Sequence, residues 1–226
     1  MRRLVAPALL AAVLAAAPAQ ADPLQDQLLA QMRRTDTGAV AFTATTRIER
    51  TGAAAREIVT RYDPAAPAGR RWRVLRYDGR APTAKEAADV LKAANAGPLP
   101  SYARLARWFG APATRVAQAA DSVTYRFARL PAGALKIGSH DASADTAAEA
   151  VVDTSGAVPL VSRVRLTSTQ GFRMMLVARV DRYAFTSTYA RLPDGRPFPA
   201  AVDAEIGGAM MGKGGTLVTR VRYDAR

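Results

Sequence analysis

The chain has no cysteine and a single histidine, His140, which excludes several kinds of chemistry at once. Without a thiol there is no disulfide, no cysteine nucleophile and no thiolate ligand for a metal. Lysine is also scarce, since the only lysines are Lys85, Lys92, Lys136 and Lys213, whereas arginine is abundant. This imbalance, together with abundant alanine, indicates a GC-rich genome and does not point to a function.

The first residues predict a secretory signal peptide over residues 1–21. A basic start, Met1-Arg2-Arg3, precedes an apolar run from Leu4 to Ala17, and Ala19-Gln20-Ala21 fits a small-x-small cleavage site. The apolar run is shorter than the ~20 residues of a membrane span, which argues against an uncleaved anchor. We therefore expect a periplasmic protein, exported by a cleavable signal, with one mature domain at residues 22–226.

The formal net charge of +13 favours encounter with anionic partners. In the periplasm these would be phospholipid surfaces, lipopolysaccharide or acidic envelope proteins, whereas nucleic acid is not expected there. The basic residues are dispersed along predicted strands and form no run of five or more. A solvated basic surface and a specific anionic partner therefore explain the charge equally well.

Helical patterns are concentrated in the first half. Asp22 and Pro23 fit the start of a helix, and Gln25 has the spacing of a capping box. The apolar stripe of this helix is Leu24, Leu28, Leu29 and Met32.

Two further helices are predicted in the middle of the chain. The segment Thr83-Ala84-Lys85-Glu86 is a capping-box pattern, and the residues behind it that share one face are Ala87, Val90, Leu91 and Ala94. Ser101 fits the cap of a short helix, whose apolar residues are Tyr102, Leu105, Trp108 and Phe109.

The remainder alternates as β-strands do. In the segment that begins at residue 39, the residues predicted to share one face are Val40, Phe42, Ala44, Thr46 and Ile48. A later strand places Trp72 and Val74 on one side. The run from Phe172 to Tyr189 lacks glycine and proline, and one straight strand of that length would span about 60 Å. We therefore predict an α+β fold, in which a long, strongly curved antiparallel sheet (a half-barrel) carries an N-terminal helix and two mid-chain helices on its concave face.

A near-match to a phosphate-binding loop begins at Gly207. The pattern reaches Gly212 and Lys213, but Gly214 stands where serine or threonine should hold magnesium. The residues that follow have strand spacing, so the helix N-terminus that would bind phosphate is missing. We interpret this segment as a hairpin tip with Met210 and Met211 exposed or half-exposed.

No catalytic constellation is evident, and we predict that the chain is not an enzyme and needs no cofactor. Ser139, His140 and Asp141 are adjacent in a turn-like segment, and adjacent residues rarely converge as a hydrolytic triad, so we expect an exposed loop histidine. No metal site is expected, although Asp141 and Asp145 could hold a cation weakly. The acids on predicted strands, which cross-strand ion pairing with arginine would explain, are Glu49, Glu57, Asp181, Asp203 and Glu205.

The apolar residues of the sheet and helices suit either a filled core or a cavity for an acyl chain. Curvature of the sheet leaves more volume than short helices readily fill. The residues that we expect to line such a cavity are Phe42, Trp72, Val74, Leu91, Tyr102, Leu105, Trp108, Phe109, Tyr125, Phe127, Met174 and Leu176.

The order of these elements resembles the bacterial lipoprotein-localisation-factor family, LolA/LolB-like proteins. The segments that carry the resemblance are DPLQDQLLAQM, AFTATTRIER, RYDPAAPAGRRWRVLRYDG, TAKEAADVLKAA and LVTRVRYD, which together extend over nearly the whole mature chain. The resemblance implies an open curved sheet that holds lipid chains beneath its helices. It is architectural and transfers no functional residue.

Three functions follow as hypotheses. The first is a monomeric periplasmic carrier or binding protein for lipid acyl chains, including those of lipoproteins, that meets an anionic membrane surface or an envelope protein. The alternative is a periplasmic regulatory or sensor module that binds an envelope protein. Hydrolysis by carboxylates is a third hypothesis, but no sequence feature favours a substrate for it.

Overall fold

The computed structural model describes residues 22–35, 40–174 and 178–225. The predicted signal peptide therefore lies outside the described residues. Among them, the helices are α1 (Pro23–Arg34), α2 (Ala84–Ala96), a 3₁₀ turn (Tyr102–Leu105) and α3 (Ala106–Phe109). The strands are β1 (Phe42–Arg50), β2 (Arg56–Tyr62), β3 (Trp72–Tyr77), β4 (Thr114–Ala119), β5 (Ser122–Phe127), β6 (Lys136–Ile137), β7 (His140–Asp141), β8 (Thr146–Asp153), β9 (Leu160–Ser168), β10 (Phe172–Met174), β11 (Ala178–Arg191), β12 (Pro197–Met210) and β13 (Lys213–Ala225).

Eleven of the described strands form one antiparallel sheet. Its order is β3-β2-β1-β13-β12-β11-β9-β8-β5-β4, and β10 pairs with the start of β11. The sheet is curved and does not close, so β3 and β4 are its edges. The predicted α+β half-barrel with helices on the sheet is confirmed.

α1 is held at its N-terminus by Asp22, as predicted. The carboxylate accepts hydrogen bonds from the backbone N–H groups of Leu24 and Gln25, and from Arg115 Nε at 2.6 Å. Chiefly because of the Arg115 hydrogen bond, the pKa of Asp22 falls to about 2. The Gln25 side chain does not complete a capping box, because its amide donates to the carbonyl oxygens of Phe109 and Ala111 instead. This contact fastens α1 to the end of α3.

Pairing registers place one continuous apolar face on the concave side. Residues paired across antiparallel strands lie on the same face. Ala44 on β1 pairs with Thr60 on β2 and with Tyr223 on β13. On β3 a bulge at Leu75 interrupts the alternation, so that Tyr77 and not Arg76 shares the face of Val74.

The convex face is polar and carries a ladder of ion pairs across strands. Arg220 lies 3.0 Å from Glu49, and Arg222 lies 2.8 Å from Asp203. Arg182 pairs with Glu205 in the same way at 3.5 Å, and Asp181 is paired with Arg179. The predicted cross-strand pairing is therefore found for Glu49, Asp203 and Glu205. Asp181 pairs with an arginine of its own strand, and no ion pair of Glu57 occurs among the described residues.

One strand prediction is wrong. The run from Phe172 to Tyr189 is not a single bent strand, because β10 and β11 pair antiparallel with Met174 opposite Ala178. The chain therefore reverses direction between these two residues. The reversal falls within an apolar run without glycine or proline, so the sequence carries no turn signal there.

Candidate functional site

An open groove of about 300 Å³ lies between α2 and the concave face of one end of the sheet. Its floor comes from β1, β2, β3 and β13, whose registers place alternate residues side by side. The floor residues are Ala44, Thr46, Ile58, Thr60, Trp72, Val221 and Tyr223. The surface that they form is apolar, apart from two threonine hydroxyls, the phenol of Tyr223 and the indole N–H of Trp72.

The wall of the groove is α2 and the segment that follows it. Thr83 and Glu86 form the predicted capping box, and Arg80 binds Glu86 at 2.6 Å, which fixes where the helix begins. The wall residues are Val90, Ala93, Ala94, Gly97, Pro98 and Pro100. None of the residues of α2 is fully buried, so the helix leans over the sheet without sealing it.

Tyr223 is one of the polar groups that line the groove. Burial raises the pKa of its hydroxyl, and the guanidinium of Arg104 acts weakly in the opposite direction. Arg104 is exposed on the 3₁₀ turn and is close enough to Tyr223 to act on its pKa, so a cation lies near the groove. The groove can therefore hold an apolar chain beside a positive charge, and its described lining contains no nucleophile paired with a base.

The apolar surface continues beyond the groove along the concave face. Ile206 on β12 pairs with Leu217 on β13, and both side chains are only half-buried. Val202 pairs with Val221, a floor residue of the groove, and Val202 is half-buried as well. No described helix covers these central strands as fully as α1 and α3 cover β5, β8 and β9.

Other depressions of similar volume differ in chemistry. One of about 320 Å³ on the convex side is lined by Arg126, Glu149 and Arg165 among others. Another of about 280 Å³ is lined by Arg47, Arg56, Glu57 and Asp78 with two small residues. Paired charges of this kind are typical of a solvated surface. The groove beneath α2, whose lining is mainly apolar, is therefore the candidate site for an apolar ligand.

Five predicted cavity residues lie in a filled core at the other end of the sheet. Their side chains are at most 1% exposed and pack with Leu28 and Met32 of α1. They are Tyr102, Leu105, Phe109, Tyr125 and Phe127. The structure thus brings these five together, but away from the groove beneath α2.

Four other predicted cavity residues belong to β1, β3 and α2, which are elements that form the groove. Trp72 lines the groove. Phe42 is buried beside it, stacked on Tyr62 with ring centroids 5.3 Å apart. Val74 and Leu91 are half-buried on β3 and α2.

Two more predicted residues, Trp108 and Met174, do not line the groove. Trp108 is half-buried and donates to the carbonyl oxygen of Ala134 at 3.5 Å. Met174 packs against a separate hydrophobic cluster that includes Val180. Leu176 lies outside the described residues. For all twelve predicted residues, a role in ligand binding stays a prediction.

The sequence prediction of the site omitted most of the groove. Ile58, Val90, Ala94, Val221 and Tyr223 line it, yet none was proposed as a cavity residue. Alternation and helical spacing assign each of these residues to an apolar face, but only the pairing of β1 with β13 brings the faces together. The sequence feature that could have identified the groove is the set of alanines on α2, since small side chains on an inward face leave space unfilled.

His140 is not the exposed loop residue that we predicted. It lies on β7, is half-buried and stacks on Phe172 with ring centroids 3.9 Å apart. Its Nε2 lies 3.2 Å from Asp145, whereas the Ser143 hydroxyl donates to Asp141 at 2.5 Å. Ser143 and His140 thus engage different carboxylates. Within the described ranges, no group of three or more potential ligands is placed to hold a metal ion.

The glycine-rich segment is a hairpin tip, as predicted. β12 and β13 pair up to Met210 opposite Lys213, so Met211 and Gly212 form the turn. The residues after Lys213 continue as a strand, and the helix that a phosphate-binding loop requires is replaced by β13.

Comparison with known proteins gives distant likenesses. The chain is similar to the crystal structure of a LolA superfamily protein from Nitrosomonas europaea, with 12% identity, a TM-score of 0.37, and coverage of 91% of this chain and 94% of that one. It is also similar to MucB in complex with MucA(peri), with 13% identity, a TM-score of 0.21, and coverage of 89% and 93%. No protein-family model and no curated protein matches the chain. We draw neither ligand nor partner from these likenesses, and membership of the family remains a prediction.

Proposed function

We propose that the chain binds a lipid acyl chain, free or attached to a protein, in the groove beneath α2. The observation that carries this proposal is an open space of about 300 Å³ whose floor is apolar and whose sheet keeps its ion pairs on the opposite face. Each methylene group moved from water into such a groove contributes about 0.8 kcal/mol. Exposed Arg104 near Tyr223 suits an anionic head group at one end.

A binding role is better supported than catalysis. The strand carboxylates of Glu49, Asp203 and Glu205 pair with arginines on the convex face, and so they point away from the groove. The described groove lining has no carboxylate, histidine or lysine that could act as a general base. We therefore infer a carrier or binding protein and no enzyme.

The proposed compartment is the periplasm, reached through the predicted signal peptide. No described helix is both long and apolar enough to cross a bilayer. An exported protein with an open apolar groove could collect a lipid at one membrane and release it at another.

The test is competition of a fluorescent fatty-acid analogue with unlabelled fatty acid, using a filled groove as the comparison. Ala94 lines the groove, whereas Ala88 is exposed on another face of the same helix. We expect Ala94→Trp to weaken binding of the analogue by at least about tenfold and Ala88→Trp to leave it unchanged. Circular dichroism checks that both variants retain α2. Equal binding by the wild type and Ala94→Trp would place the ligand elsewhere and contradict the proposal.

A second candidate function is a regulatory module that binds an envelope protein. The observation that favours it is β4, an edge strand whose six residues are all exposed, with Val116 41% exposed. An edge strand can pair with a strand of another protein. Photo-cross-linking from position 118 that captures a protein from the envelope, together with a lipid-free groove, would favour this function over lipid binding.

A further inference from the structure

The hairpin tip between β12 and β13 exposes two large apolar side chains. Met210 is 64% exposed and Met211 is 79% exposed, more than any other large apolar side chain of the described residues. Neither residue belongs to a core cluster in the described part of the chain. Packing within the fold therefore does not account for these methionines.

The backbone conformation of the turn makes methionine an unusual residue at position 211. Met211 has φ +50° and Gly212 has φ +79°, so both occupy the left-handed region. Two-residue hairpin turns of this kind strongly favour asparagine or aspartate followed by glycine. A methionine in this conformation is neither a good turn former nor a core residue, which points to a contact outside the chain.

Basic side chains lie at the tip and on strands of the same end of the sheet. Lys213 pairs with Met210 across the hairpin, and Arg50 lies at the neighbouring end of β1, opposite Leu217. On the other side, Arg173 lies directly opposite Arg179 in the ladder. Asp181 pairs with Arg179, but no described carboxylate forms an ion pair with Lys213, Arg50 or Arg173. Arg173 thus faces another cation and has no acidic partner of its own among the described residues, so an external anion would compensate its charge.

We propose that this tip, Met210–Lys213, contacts the interface of an anionic phospholipid bilayer. The two methionines enter the boundary between head groups and acyl chains, while the cations of Lys213, Arg50 and Arg173 face the phosphates. A narrow two-residue turn cannot supply the ~800 Å² that a stable protein partner covers on each side, whereas it suits insertion into lipid. The proposal rests on the proposed function in one respect: a carrier has to meet a membrane in order to load or unload.

The test is flotation of the full chain with vesicles. We expect binding to vesicles that contain phosphatidylglycerol and much weaker binding to phosphatidylcholine alone. The variant Met210→Ser/Met211→Asn keeps the turn, because asparagine tolerates positive φ. It should lose binding by at least about tenfold, since two apolar side chains no longer enter the lipid. The matched control is Val158→Ser, which removes an apolar side chain that is 49% exposed at another site.

The contribution of charge is tested separately. Lys213→Glu should weaken binding to the anionic vesicles several-fold, and salt should weaken the wild type in the same way because it screens the head groups. Wild-type flotation that does not depend on phosphatidylglycerol, or equal flotation of the tip variant and Val158→Ser, would overturn the proposal. Capture of a protein from a cross-linker at position 211, with no loss of flotation in the tip variant, would overturn it as well.

The two proposals fail in distinguishable ways. Tip variants should bind the fluorescent fatty acid as the wild type does, because the groove lining does not include Met210 or Met211. Ala94→Trp should float with anionic vesicles as the wild type does. Loss of flotation in Ala94→Trp would show that the vesicles are bound through the groove, and would overturn the tip proposal while leaving the groove intact.

Discussion

The two ends of the curved sheet present similar apolar faces but are covered in different ways. At the end formed by β5, β8 and β9, α1 and α3 contribute Leu28, Met32 and Phe109, all at most 1% exposed. At the end formed by β1, β2 and β3, α2 contributes no fully buried residue and leaves a groove of about 300 Å³.

The size of the covering side chains explains this difference. The α2 side chains that line the groove are Val90, Ala93 and Ala94, whereas α1 and α3 pack leucine, methionine and phenylalanine into the filled core. Close packing requires side chains to fill the volume between layers, and alanine cannot fill it over a concave surface. Between the two ends, a cavity beside Tyr102 and Phe42 measures only about 10 Å³, which is close to the space of one water molecule. Among the described residues, the apolar depression of about 300 Å³ therefore lies at the α2 end of the sheet.

The largest expected difference is between the losses in free energy of unfolding when an apolar side chain is truncated in the filled core and when one is truncated beside the groove. Phe127→Ala in the filled core should lower the free energy of unfolding by about 3–5 kcal/mol, since it opens a cavity that the neighbours cannot close. Val90→Ala should cost about 1 kcal/mol or less, because that side chain already borders open space. Urea denaturation followed by circular dichroism measures both. Equal losses would mean that α2 is packed as tightly as α1.

A smaller effect is expected from the link between α1 and β4. Asp22→Ala removes the helix cap and the partner of Arg115, and should cost about 1–2 kcal/mol in the free energy of unfolding. The folded-state pKa of Asp22, about 2, lies below its unfolded value. The stabilisation is therefore complete above pH 4 or so and is lost as the pH falls towards about 2.

The measurement is the urea midpoint between pH 2 and pH 6 for the wild type and Asp22→Ala. The stability difference between the two should shrink as the pH falls. A constant difference over this range would show that the Asp22 carboxylate gains nothing from Arg115 when it is charged.

The smallest global effect is expected from the cap of α2. Thr83→Ala removes the capping box and should lower overall stability by about 0.5–1 kcal/mol. Because α2 has no fully buried residue, the loss should appear mainly as local opening of this helix. Hydrogen exchange resolved by peptide should show faster exchange in α2 with little change in α1. Unchanged exchange in α2 would contradict the weak attachment of this helix.

The architecture could be predicted from the sequence because its signals are local. The caps at Asp22, Thr83 and Ser101 each begin a helical segment as expected, and alternation identified the inward residues of β1. The reversal between Met174 and Ala178 could not be predicted, since no turn residue marks it.

The candidate site was harder to predict because it depends on long-range pairing. Tyr125 and Val221 have the same alternating pattern, but one pairs within the filled end of the sheet and the other within the groove floor. The prediction favoured large aromatic residues such as Tyr102 and Phe109, but their side chains are buried and fill the core. A large apolar side chain can either line a cavity or fill it, so its size does not show from the sequence which of the two occurs. The groove is marked instead by the small residues of α2.

The most direct measurement is native mass spectrometry of the protein isolated from the cells that produce it, before and after solvent extraction. Our account predicts a bound acyl lipid in the wild type and its loss in Ala94→Trp but not in Ala88→Trp. A wild-type protein that carries no lipid, and that acquires none when it is incubated with fatty acids or phospholipids, would contradict the proposal that the α2 end of the sheet is a lipid site.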